Sequence, residues 1–113
     1  MFKHLKETKK TFKPKERDIR NSIQQYLDMR GIFNFRQWQG QFSVRGVPDI
    51  IGIIPVSGKI LGIEVKLPGW KFKPNNKHES EQQDFLENIR KSGGIAFFAT
   101  SIEDVESQLM IKK

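Results

Sequence analysis

Pro48-Asp49-Ile50-Ile51-Gly52-Ile53-Ile54 is followed, after the turn residues Pro55-Val56-Ser57-Gly58, by Ile60-Leu61-Gly62-Ile63-Glu64-Val65-Lys66. The first run is nearly continuous and β-branched, the pattern of a strand buried on both faces, and Pro, Ser and Gly end it. The second strand spans 59–67. Side chains alternate along a strand, so Leu61, Ile63, Val65 and Leu67 share one face and Ile60, Gly62, Glu64 and Lys66 the other. A hairpin turning near Ser57 sets Asp49 opposite Glu64 or Val65. Only the first of these registers puts Asp49 on the face of Glu64 and Lys66. Two carboxylates and an ammonium can then converge.

The rest of the chain alternates helix and strand around this pair. Ile19, Ile23, Tyr26 and Leu27 recur at helical spacing between Glu16 and Met29, and Gly31 suits a left-handed stop. Phe33 and Phe35 mark a first strand or hairpin within 32–38. Gln39-Gly40-Gln41 reads as a turn before Phe42-Ser43-Val44. Residues 68–79 form a loop rich in Lys, Asn and Pro. Ser80 and Gln83 have the spacing of a capping box, opening a helix whose core face is Phe85, Leu86 and Ile89 and which Gly93-Gly94 ends. Ile95–Ala99 is another buried strand. Ser101 caps a last helix with Ile102, Val105 and Leu109 inward. The order is helix, three strands, helix, strand, helix.

Composition bounds the chemistry. At 113 residues there is room for one core, with a basic tail over 1–15 and one domain over 16–113. The absence of Cys excludes disulfides, thiolate metal sites and thiol nucleophiles. The start lacks the apolar segment of a signal peptide, and no apolar stretch approaches the ~18 residues of a membrane span, so a soluble, cytoplasmic protein is expected. The net charge is +7, and most of the excess lies in the six Lys of the tail. That distribution points to a polyanion, nucleic acid before membrane.

Clustered carboxylates in a half-buried position repel each other unless a cation offsets them. Mg²⁺ prefers oxygen ligands and binds through one or two carboxylates with water and substrate phosphate, which suits Asp49, Glu64 and the main-chain carbonyl of Val65. Lys66 beside them can orient a nucleophile or stabilise charge developing on phosphorus. The competing reading is a surface Asp and a Glu–Lys ion pair without chemistry, because motifs this short recur by accident.

Arg45-Gly46-Val47-Pro48-Asp49-Ile50-Ile51-Gly52, Gly62-Ile63-Glu64-Val65-Lys66, a helix bearing Gln82, Gly93-Gly94-Ile95-Ala96 and Ile102-Glu103-Asp104-Val105 together resemble the VRR-Nuc (virus-type replication and repair nuclease) branch of the PD-(D/E)xK nucleases. The resemblance covers about residues 16–106. It implies an α/β, restriction-endonuclease-like αβββαβ core with a mixed sheet, and Mg²⁺- or Mn²⁺-dependent cleavage of DNA. Asp49 and Glu64 match the metal-binding acids, Lys66 the catalytic lysine and Glu16 an additional acid. Gln82 or Gln83 matches a glutamine on the following helix; Gln82 is chosen, standing three residues before Phe85 while Gln83 serves the capping box. The small size further implies a homodimeric, Holliday-junction-resolvase-like enzyme acting on branched DNA. A flap or duplex nuclease and a non-catalytic nucleic-acid-binding module are the alternatives.

Two other features bear on DNA. Arg36 and Arg45 can hold phosphate oxygens. Trp70-Lys71-Phe72-Lys73 interleaves aromatics with cations, suited either to gripping backbone and stacking on unpaired bases or to tucking rings under the core. Gly46 and Gly62 allow close backbone packing, Gly62 leaving room on the acidic face. His4 and His78 receive no role.

Overall fold

The computed structural model describes residues 13–37 and 44–111. Seven elements follow in the expected order: α1 (Glu16–Met29), β1 (Phe33–Arg36), β2 (Ile50–Ile53), β3 (Ile60–Val65), α2 (Lys77–Lys91), β4 (Ile95–Ala99) and α3 (Ile102–Ile111). The strands form one mixed sheet in the order β1-β2-β3-β4, antiparallel except for the parallel β3–β4 pair, which α2 connects. The basic tail up to residue 12 and the Gln39–Ser43 turn and strand lie outside the described residues.

One face of the sheet carries the core. Ile50, Leu61, Ile63, Val65, Phe97 and Ala99 pack there against Ile19, Ile23 and Leu27 of α1 and Val105 and Leu109 of α3. These are the residues whose helical or alternating spacing marked them as inward. Leu67, expected on the same face, lies beyond the end of β3 and is exposed. α1 ends with the Gly31 and Ile32 N–H groups donating to Asp28 and Leu27 carbonyls, as a Schellman motif requires. α3 opens with the Asp104 N–H donating to Ser101 Oγ at 3.1 Å, the expected cap.

Two expectations need correction. Strand β2 is not buried on both faces: Ile50 and Gly52 are buried, but Ile51 is half-buried and Ile53 exposed. The reason is the placement of α2, which packs over β3 and β4 and leaves the far face of the β1–β2 half without a helix. The second correction concerns the start of α2. It begins at Lys77, not after Ser80, because Asn76 caps it by accepting the Glu79 N–H at 3.0 Å. Asn is as good a cap as Ser, and starting one turn earlier turns His78, Glu79 and Gln82 toward the end of the sheet.

Gly62 and Gly46 lock α2 in place. A Cβ on Gly62 would sit 2.7 Å from Ile89 Cδ1, so the room that this glycine leaves is filled by α2 rather than left beside the acids. Gly46 has φ +78°, and a Cβ there would collide with the Glu81 carbonyl. The backbone leading to Asp49 therefore rests directly on α2. Gly46→Ala is expected to cost about 2–3 kcal/mol, from strain plus displacement of that carbonyl. Urea unfolding measures it, and a loss below about 0.5 kcal/mol contradicts the packing argument.

Candidate active site

The acids meet at one end of the sheet. The register pairs Ile50 with Ile63, so Asp49, one residue before β2, comes opposite Glu64. This is the register that places both acids on one side. The Val65 N–H donates to Asp49 Oδ2 at 2.9 Å and ties the aspartate to the β3 backbone. Just beyond β3, the Lys66 N–H donates to the Ala99 carbonyl at 2.9 Å, extending the parallel pairing by one residue. Glu64 and Lys66 thus project from backbone that is tied to β4, and only 4% and 9% of their surfaces are exposed.

Glu16, Arg36, Gln37, Asp49, Glu64, Lys66, His78 and Gln82 line a cleft of about 540 Å³. Of the expected site residues, the cleft collects Asp49, Glu64, Lys66, Gln82, Glu16 and Arg36. Glu16 and Arg36 are exposed at its rim, whereas Gln82 is 5% exposed. Gln83 is half-buried and does not line the cleft, so Gln82 is the glutamine at the site, although the capping box used to exclude Gln83 does not form.

Burial raises the pKa of Glu64 from 4.5 to about 9, reinforced by the charge of Asp49 and a hydrogen bond to it; Lys66 pulls the other way. The protein alone therefore holds Glu64 protonated at neutral pH. Glu64 Oε1 and Gln82 Oε1 are both buried without a hydrogen-bond partner. Buried oxygens without donors are rare and costly. Among the described residues, no three His, Asp or Glu side chains gather as a metal cage. The cleft lining offers the two acids and an unpartnered amide oxygen; Val65, expected to add its carbonyl, is not among the lining residues. That donor set fits a hard cation that keeps part of its shell as water and substrate oxygen.

The DNA-contact candidates divide. Lys71 and Lys73 are exposed on the loop before α2. Arg45 is exposed and 3.7 Å from Glu81, a pair that leaves it available to solvent. Trp70 is not a free stacking platform: its ring lies 4.6 Å from that of Phe98, and its indole N–H donates to Glu79 Oε2 at 3.2 Å. Of the two readings of this aromatic stretch, packing against the fold holds for Trp70.

Two residues of the site region escaped the sequence reading. His78 Nε2 lies 3.2 Å from Gln82 Nε2 on the wall of the cleft. Glu79 is buried and accepts the Lys73 N–H at 2.8 Å through Oε1; that bond and the indole N–H of Trp70 hold its carboxyl below the usual range. The signal for both was Asn76, four residues before Ser80, which places them in the first turn of α2.

The family model for the VRR-NUC domain matches residues 11–102. The chain belongs to the VRR-NUC domain family. The VRR-NUC domain is a nuclease domain, so a nuclease-type activity with DNA as substrate follows from membership. A solved structure titled "VRR_NUC domain" superposes with a TM-score of 0.63 at 24% identity, covering 84% of this chain and 94% of that one. That likeness supports the VRR-NUC fold, a mixed four-stranded sheet with three helices. No curated protein matches the sequence. No helix among the described residues is long and apolar enough to cross a membrane.

Proposed function

We propose that this VRR-NUC chain is a PD-(D/E)xK-type endonuclease that hydrolyses DNA phosphodiester bonds with Mg²⁺ or Mn²⁺, and that it acts as a homodimer on branched DNA. The observation that carries the reading is the pairing of half-buried Asp49 with buried Glu64, whose Oε1 is unpartnered, with Lys66 buried alongside, in the lining of a polar cleft. A structural role does not account for it, since an unpaired buried acid destabilises a fold.

Asp49 and Glu64 would hold the cation, and Gln82 Oε1 is placed to contact it or a water in its shell. The bound cation would supply Lewis acidity to the scissile phosphate and acidify the attacking water. Loading it requires the Glu64 proton to leave. Lys66, buried and in no ion pair within 4 Å among the described residues, stabilises the negative charge that builds on the phosphate oxygens as the new P–O bond forms and the old one breaks. Glu16 at the rim would add negative charge to the same cleft, and Arg36, Arg45, Lys71 and Lys73 offer exposed cationic contacts to the phosphates flanking the cut. One site cuts one strand, so paired cuts across a junction call for two chains related by a two-fold axis.

The test is cleavage of labelled four-way junctions, flaps and linear duplexes with Mg²⁺ or Mn²⁺. Symmetric nicks near the branch point are expected. Cutting of flaps or duplex alone removes the junction preference and keeps the nuclease. Binding without cutting of any substrate replaces the enzyme by a binding module.

The tail supplies a separate prediction. Its Lys residues bind phosphates without reading bases, so deleting residues 1–13, which removes five Lys, should weaken binding to all sequences alike. The slope of log K against log salt should become shallower by about one for each phosphate that the tail no longer neutralises. An unchanged slope in a salt titration by fluorescence anisotropy removes the tail from the interface.

A further inference from the structure

The reading of Lys66 as a charge-stabilising group leaves open what holds a long, flexible ammonium in one place. Lys66 Nζ lies 5.5 Å from the centroid of the Trp70 ring, within cation–π range. Trp70 is itself fixed on two sides. Its ring packs, tilted by 40°, with its centroid 4.6 Å from that of Phe98 of β4, and its indole N–H donates to Glu79 Oε2 at 3.2 Å. Glu79 spends its other oxygen on the Lys73 N–H at 2.8 Å, so a single buried carboxylate on α2 pins both ends of the 70–73 segment. Glu79 lies one helical turn before Gln82, and the same helix face thus serves the cleft and the loop.

We propose that Trp70 and Glu79 are positioning residues for the cleavage reaction: Glu79 fixes the indole of Trp70, and the indole face holds the Lys66 ammonium at the cleft. The proposal rests on the nuclease reading above. A lysine stem carries several rotatable bonds, and an ammonium free to swing into solvent stabilises charge poorly. The indole removes that freedom on one side without offering a carboxylate that would neutralise the cation. The anionic Glu79 accepts the indole N–H at the ring edge, which enriches the π face toward Lys66.

The experiment compares Trp70→Phe, Trp70→Leu, Glu79→Gln and Lys66→Ala with the full-length wild type in single-turnover cleavage. Dissociation constants for DNA in Ca²⁺ and for Mn²⁺ are measured alongside. Trp70→Leu is expected to lower the cleavage rate about tenfold or more, with both dissociation constants within about threefold of wild type. Trp70→Phe keeps a ring over the ammonium and should recover most of the rate. Glu79→Gln, which loses the charge and keeps one of the two acceptor oxygens, should fall between them. The Trp70 indole N–H resonance should move upfield in that variant. Equal rates for wild type and Trp70→Leu, or equal losses in Trp70→Phe and Trp70→Leu, overturn the proposal. Should Trp70→Leu not fold, the Phe and Gln variants decide: a Gln variant with wild-type rate and an unmoved indole resonance overturns it. The two readings fail differently, since a wild type that cuts no substrate with Mg²⁺ or Mn²⁺ sinks the nuclease reading, whereas an inactive Lys66→Ala beside a fully active Trp70→Leu sinks only the positioning.

Discussion

Replacing Lys66 by Ala is expected to lower the rate of DNA cleavage about 100- to 1,000-fold while DNA affinity in Ca²⁺ changes by less than about threefold. The magnitude is that of removing one preorganised donor from a developing oxyanion. The split between rate and affinity follows from burial. Lys66 is among the least exposed cations described, so it is expected to add little to the attraction of a long duplex, for which the exposed Arg36, Arg45, Lys71 and Lys73 are the proposed contacts. Its ammonium matters where the charge peaks, at the reacting phosphate. Asp49→Ala should be at least as damaging for a different reason: it removes a proposed cation ligand and the acceptor of the Val65 N–H. The two variants separate in a Mn²⁺ titration, where Lys66→Ala keeps the cation and Asp49→Ala loses it. Wild-type cleavage by Lys66→Ala overturns the proposed mechanism.

Much of this arrangement was legible in the sequence because the residues that build it follow strict periods. Leu61, Ile63 and Val65 can face the core only if Glu64 and Lys66 face away, and the hairpin length leaves two registers for Asp49. The choice between them needed the structure, because register depends on packing that the turn residues alone do not encode. The helix after the strands shows where such reading stops. Asn76 and Ser80 are both good caps one turn apart, and local propensity does not separate them. What separates them is the buried Glu79, whose side chain collects the Lys73 and Trp70 N–H groups only when the helix starts at Lys77. That tertiary gain decided the boundary, and with it the exposure of His78 to the cleft and the internal role of Trp70. Ile51 and Ile53 failed for a similar reason. A β-branched run records that a strand forms, but which of its faces a helix covers depends on where α2 lands.

The Glu64 carboxyl links site and stability, and the link gives the second large effect. In the metal-free protein its pKa stands at about 9, against 4.5 ordinarily, chiefly through burial. Below pH 4.5 the folded and unfolded chains both carry the proton, and its contribution to stability is fully present. Between pH 4.5 and 9 the unfolded chain has released the proton and the folded one has kept it, so stability falls by about 1.4 kcal/mol per pH unit. By pH 7 the accumulated loss is about 3 kcal/mol. Glu64→Gln has nearly the same shape and no charge to release, so in EDTA it should be more stable than wild type by about that amount at pH 7 while being inactive. The difference should shrink toward zero as pH approaches 4.5. Glu79 opposes this trend in the acid range, because its lowered pKa gives stability that is present above its ordinary value and lost as pH falls. Comparing the two proteins at each pH cancels that contribution. Urea unfolding in EDTA at several pH values measures the difference. Adding Mn²⁺ should stabilise only the wild type, with release of the Glu64 proton detectable as a buffer-dependent binding enthalpy. A Gln variant less stable than wild type at pH 7 would mean that the folded protein keeps Glu64 ionised and favourably paired without a cation. The unpartnered oxygen could then no longer be read as a ligand in waiting.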